Sequence, residues 1–185
     1  MTQLWLARHG ETDWNLEGRF QGQADPPLNA SGLAQAQQTA DQLVGAGIQA
    51  IFCSDLQRAL LTAQIIGKKL GIIPQEDNRL REIRLGVWEG MLVEQIKSEY
   101  TDIWQRRQLD PVHVHPPGGE NLLELAERVW AAASQIAHQH PGGTVLLVSH
   151  GVSLACLICR ARGLPLEQAL QVIPDNAHVI QVDWP

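Results

Sequence analysis

"LWLARHGETDWN", Leu4 to Asn15, is the stretch on which the reading of this chain turns. Leu4, Trp5, Leu6 and Ala7 make a short apolar run of the kind buried in a sheet. The run ends not in a neutral turn but in Arg8, His9 and Gly10. A second stretch, "TVLLVSHG" from Thr144 to Gly151, repeats the pattern. It is a continuous apolar run with β-branched members, typical of a buried parallel strand, and it delivers His150-Gly151.

Around these two runs, strands are expected at 2–8, 49–54, 72–77, 144–149 and 177–183. Between them the apolar spacing predicts helices over 29–47, 55–71, 121–140 and 151–162, with one or two more in 91–108. Ser31 is the expected N-cap of the first, and Gly45 and Gly47 mark its end. Strands alternating with helices imply an α/β fold: a three-layer sandwich with a mostly parallel central sheet and helices on both faces. Residues 1–185 read as one domain. The segment 79–120, with its proline- and glycine-rich "DPVHVHPPGGE", reads as a cap-like insertion over one edge of the sheet.

Composition narrows the function. Hydrophobic residues make up 44% of the 185, so a packed core is expected. The net charge of −6 and the lack of a Lys/Arg block argue against nucleic acid and anionic membrane partners. No apolar run approaches the roughly 18 residues of a membrane span, and no secretory signal is visible, so a cytoplasmic location is expected. Cys156 and Cys159 form a C-x-x-C pair inside an apolar helix, where they are neighbours on one face and read as packing residues. His113 and His115 alternate in a proline-rich loop and read as solvated, without a metal.

In a parallel sheet the C-terminal ends of the strands share one edge, and ligands bind there. If 2–8 and 144–149 are neighbours, His9 and His150 meet. Arg58, on the first turn of the helix after 49–54, points to the same edge. Arg8, His9, Arg58 and His150 then form a positive cluster in an acidic chain, suited to a phosphoryl dianion. A neutral imidazole can attack phosphorus in line. The leaving alkoxide needs a proton, and Glu82 and Glu89 in "LREIRLGVWEG" are the candidates. No cofactor and no metal is called for.

"LARHGETDWN", "SDLQRALLTA", "LREIRLGVWEG", "PPGGEN" and "LLVSHG" resemble, in order, the motifs of the histidine phosphatase superfamily, the phosphoglycerate mutase-like group. The resemblance implies that His9 is the transiently phosphorylated nucleophile. It implies that Arg8, Arg58 and His150 complete the phosphate pocket and that Glu82 donates the proton, leaving Glu89 a structural role. Asn15 matches a position that contacts the phosphoryl group, and Gln21 and Gly22 match a segment lining the substrate side. Gly151 would offer a backbone N–H. The "G-x-W-E-G" form is similar to the short phosphatase branch, which includes alpha-ribazole phosphatases and broad-specificity phosphatases. No Arg-His-Tyr-Gly stretch of the cofactor-dependent mutases comes after it. The expected function is therefore a metal-independent phosphomonoesterase acting on a small-molecule phosphate ester. A cofactor-dependent phosphoglycerate mutase is the alternative, and a non-catalytic phospho-ligand module a third. The strand at 177–183 could pair with a second copy, giving a homodimer, or be covered.

Overall fold

The computed structural model describes Met1–Pro185. Five strands form one sheet in the order β3-β2-β4-β1-β5. They are β1 (Thr2–Arg8), β2 (Ala50–Cys53), β3 (Gln75–Glu76), β4 (Thr144–Ser149) and β5 (Val179–Trp184). All neighbouring pairs are parallel except β1 with β5.

Both faces of the central strands are covered, which is why they read as unbroken apolar runs rather than alternating ones. Leu4, Leu6, Phe52, Val145 and Leu147 enter one core with α6 (Leu122–Gln139) and α7 (Gly151–Arg162). Ala7, Ile51, Cys53, Leu146 and Val148 enter a second core with α2 (Ala30–Gln42) and α3 (Gln57–Leu70). Leu4, Leu6, Leu146 and Leu147 have no solvent exposure. Each such side chain contributes about 1.5–3 kcal/mol of hydrophobic stabilisation. No helix is long and apolar enough to cross a membrane.

The register sets the site. Arg8 lies opposite Ser149, so His9 and His150 leave the sheet side by side. Cys53 lies opposite Val148, which brings Ser54 to the same edge.

Several element boundaries differ from the sequence reading. Asn29, not Ser31, caps α2, because its Oδ1 accepts the Gly32 N–H at 2.8 Å. That helix ends at Gln42, and Gly45 and Gly47 lie beyond it, Gly45 in a turn and Gly47 past it. The third strand shrinks to two residues at the sheet margin. A short helix, α1 (Asp13–Glu17), interrupts the loop after β1. The 91–108 segment is two helices, α4 (Val93–Glu99) and α5 (Thr101–Leu109), divided at Tyr100, whose backbone (φ −126°, ψ 39°) is not helical. The Tyr100 ring sits edge-on against Trp88, with centroids 6.2 Å apart.

Candidate active site

The tips of β1, β2 and β4 open into a cleft of about 330 Å³. Arg8, His9, Asn15, Gln21, Gly22, Arg58 and Glu82 all line it. His150 lies one layer deeper, fully buried, with its ring centroid 5.2 Å from that of His9. Gly151 opens α7 beside it and is not part of the cleft wall.

His9 is fixed by its own turn. Its Nδ1 lies 2.7 Å from the Gly10 carbonyl oxygen. A carbonyl can only accept, so Nδ1 carries the proton and Nε2 is left with a free lone pair. Burial, then the charges of Arg58 and Arg8, hold the ring well below its ordinary value of 6.5. The same causes, burial first and then Arg58, hold His150 down too. Both rings are therefore neutral at pH 7.

The two guanidiniums are held by backbone carbonyls from different segments. Arg8 donates through Nη1 to the Pro174 carbonyl at 2.8 Å. Arg58, on the first turn of α3, donates to the carbonyls of Ala24 at 2.7 Å and Gly22 at 2.8 Å. Both Nε atoms are buried without a protein partner. Burial pushes Arg58 down to about 10, with Asp25 as an exposed counter-charge 3.8 Å away. A desolvated, incompletely paired cation in a cleft is a strong functional-site signal. Gly151 makes room for this cluster, since a Cβ there would lie 2.9 Å from the Ile173 side chain and 3.4 Å from Arg8 Cζ.

Of Glu11, Glu82, Glu89 and Glu120, only Glu82 reaches the cleft wall. Its Oε2 accepts the Val152 N–H at 3.0 Å, and its Oε1 accepts N–H groups of Ser153 (3.1 Å) and Ile83 (2.9 Å). The carboxyl group is thus anchored on N–H groups in the first turn of α7. Glu89 accepts from the backbone of Gln23 and Leu85 and braces the loop around Gly22. Glu120 pairs with Arg128, and Glu11 receives Asn29.

Asn15 has two duties. Its Oδ1 accepts the Thr12 N–H at 3.0 Å in the capping box of α1, while the residue also faces the cleft. Gln21 contributes a buried Oε1 that no protein donor reaches. His113 pairs with Asp110, and His115 contacts the Gly119 carbonyl and Asn121. No group of three His, Cys, Asp or Glu gathers anywhere to hold a metal ion. Cys156 and Cys159 are buried, unpaired and part of the core.

Of the far wall of the cleft, the sequence offers only Trp104, in the 79–120 insertion, as a candidate substrate contact; the rest of the wall is not legible in it. Phe20, Leu85, Trp104, Leu170 and Ile173 make the wall apolar, and Arg19, Arg107 and Gln108 make its end polar. Arg107 is 6% exposed, makes no ion pair, and stacks 5.9 Å over Trp88. Trp104, Arg107 and Gln108 sit at i, i+3 and i+4 on α5, so helical spacing could have placed them on one face.

The chain belongs to the histidine phosphatase superfamily (branch 1), whose family model matches residues 4–185. Membership, with phosphatases among its structural neighbours, makes it an enzyme of the phosphatase class. A curated relative from Salmonella paratyphi B, named "Probable phosphoglycerate mutase GpmB", is 38% identical over all of this chain and 86% of its own length. Among solved structures, a mycobacterial glucosyl-3-phosphoglycerate phosphatase in complex with VO3 superposes with a TM-score of 0.88 at 32% identity, covering 97% of this chain and 91% of that one. The alpha-ribazole phosphatase of Shigella flexneri gives 0.89 at 29% identity, with 98% and 90% covered.

Proposed function

We propose that this protein is a metal-independent phosphomonoesterase that hydrolyses a small-molecule phosphate ester through a phosphohistidine on His9. The single observation that carries this reading is the His9 ring: its proton is committed to Gly10, its Nε2 is bare, and two desolvated arginines share its cleft. Nε2 attacks phosphorus, and the P–O ester bond breaks as the P–N bond forms. The electron pair leaves on the alkoxide oxygen, which takes the proton of Glu82. Arg8 and Arg58 neutralise charge on the equatorial oxygens, and neutral His150 donates a hydrogen bond to one of them. Water then gives a proton to Glu82 and its oxygen to phosphorus, the P–N bond breaks, and His9 recovers its lone pair.

The alcohol half of the ester faces the second wall. Phe20, Trp104 and Leu85 favour an apolar surface on it, and Arg107 favours a further anionic group such as a carboxylate. Arg107 is buried with an unpartnered Nε and no counter-ion, a costly arrangement unless a ligand anion completes it. Asn15 and Gly151 serve the phosphoryl end, and Gln21 and Gly22 the substrate side.

A mutase reading has one specific support, the name of the Salmonella relative. Phosphate release in EDTA separates the two. Wild type and His9→Ala would be assayed on p-nitrophenyl phosphate, alpha-ribazole phosphate, sugar phosphates and 3-phosphoglycerate. Release that survives EDTA and vanishes in His9→Ala supports the phosphatase. Isomerisation of 3-phosphoglycerate that needs a bisphosphoglycerate primer, with no release from any ester, would replace it with the mutase.

A further inference from the structure

His150 and Ser54 form a buried pair whose shared hydrogen bond takes no part in the bond-making steps of phosphoryl transfer. Both are fully buried, and His150 Nε2 lies 2.8 Å from Ser54 Oγ. Ser54 comes directly after β2, so its hydroxyl crosses from one strand tip to the next. The Leu56 N–H already donates to the same oxygen at 3.3 Å. The other ring nitrogen of His150, Nδ1, is buried without any protein partner.

Counting protons decides the arrangement. Ser54 has one hydroxyl hydrogen, and His150 Nε2 is the one acceptor within reach of it. If Nε2 carried the ring proton instead, the Ser54 hydrogen would be stranded in the core. Nδ1 would then present a bare lone pair to an arriving anion. Each outcome leaves a buried polar group unsatisfied, at a cost that a satisfied network avoids. Burial and the surrounding cations keep the ring neutral, so only one nitrogen holds a proton.

We infer that Ser54 is a positioning residue: its hydroxyl donates to His150 Nε2 and holds the ring as the Nδ1–H tautomer, with Nδ1–H as a donor to a phosphoryl oxygen at His9. The donor's target rests on the phosphatase reading; the tautomer does not. The two imidazoles are then the same tautomer put to opposite uses. His9 anchors its N–H on Gly10 and presents a lone pair. His150 anchors its lone pair on Ser54 and presents an N–H.

Long-range proton–nitrogen NMR of the ¹⁵N-labelled, ligand-free protein above neutral pH reads the tautomer directly, with His150→Gln used to assign the signal. The expected result is a protonated Nδ1 and an unprotonated Nε2 in the wild type. In Ser54→Ala a mixed or reversed pattern is expected, and Ser54→Thr should restore the original one. On the best ester, Ser54→Ala should lower kcat by about tenfold, the scale of one buried hydrogen bond, with KM little changed, and Ser54→Thr should recover most of it. Protonated Nε2 in the wild type overturns the inference, and that measurement needs no variant to fold. An unchanged Nδ1–H pattern in Ser54→Ala overturns it as well. Since the spectra need no substrate, a protein that releases no phosphate would sink the phosphatase reading and leave the tautomer standing or falling on its own.

Discussion

The tips of β1 and β4 carry the same letters and end in different states. Both are apolar strands ending in His-Gly, and they are paired in register from Gln3–Thr144 to Arg8–Ser149. After β1 the chain enters a loop, and His9 stays on the cleft wall. After β4 it enters α7 at once, with His150 as the N-cap and no exposure at all. The difference lies in the segment after each glycine. The loop leaves His9 Nε2 open, whereas the helix seats His150 beneath it and offers its first N–H groups to Glu82. A repeated sequence pattern thus yields one imidazole on the cleft wall and one buried behind it, and the proposed mechanism gives the first the reacting role and the second a supporting one.

Substitution at the two tips should break this pairing unequally. His9→Ala removes the proposed nucleophile, and turnover should fall by about 10⁴-fold or more, measured as phosphate release under saturating substrate. His150→Ala removes the proposed donor to the transferring group, and about 10²–10³-fold in kcat is expected. Equal losses at both positions would contradict the division of labour. Away from the tips, Arg107→Ala should raise KM by roughly tenfold or more for an ester with a second anionic group. It should leave p-nitrophenyl phosphate, which lacks one, within about twofold. An identical effect on both esters would remove the anion-binding role of α5.

The smallest effect is on stability. Both imidazoles are held well below 6.5 in the folded protein, by burial first and then by Arg58. The unfolded chain therefore binds more protons than the folded one once pH falls through 6.5. Stability is full above that pH and is lost below it. Each histidine contributes a slope of up to about 1.4 kcal/mol per pH unit, measurable by urea unfolding at several pH values. His9→Asn and His150→Asn should each flatten the curve, and a curve unaffected by either would show that the rings are not held neutral.

How much of this site was legible depends on how its contacts are made. The central strands could be read because burial on both faces forces continuous apolar runs such as Leu146–Val148. His9, Arg58 and His150 could be read because they sit at or just past strand ends, which a parallel sheet gathers at one edge. Ser54 could not. Its bond to His150 spans 96 positions, and a serine closing an apolar run has many bland explanations. Arg128 was equally hidden. From the middle of α6 it donates to the carbonyls of Arg79, Arg81 and Glu82, and so fixes the loop that carries Glu82. Such contacts depend on side-chain reach across elements, which periodicity does not encode. The N-cap at Asn29 in place of Ser31 is a smaller case. Both residue types cap well, and Gly32 packing against the Glu11 backbone sets where the helix begins.

The whole division of labour rests on His9, and not His150, taking the phosphoryl group. The most direct test is to quench a single turnover into alkali, where phosphohistidine survives, and to map the adduct by peptide mass spectrometry. A phosphoryl group is expected on the peptide containing His9, absent in His9→Ala and present but slower to form in His150→Ala. An adduct on the His150 peptide, or brisk turnover with no protein-bound phosphoryl group at any time point, would contradict it.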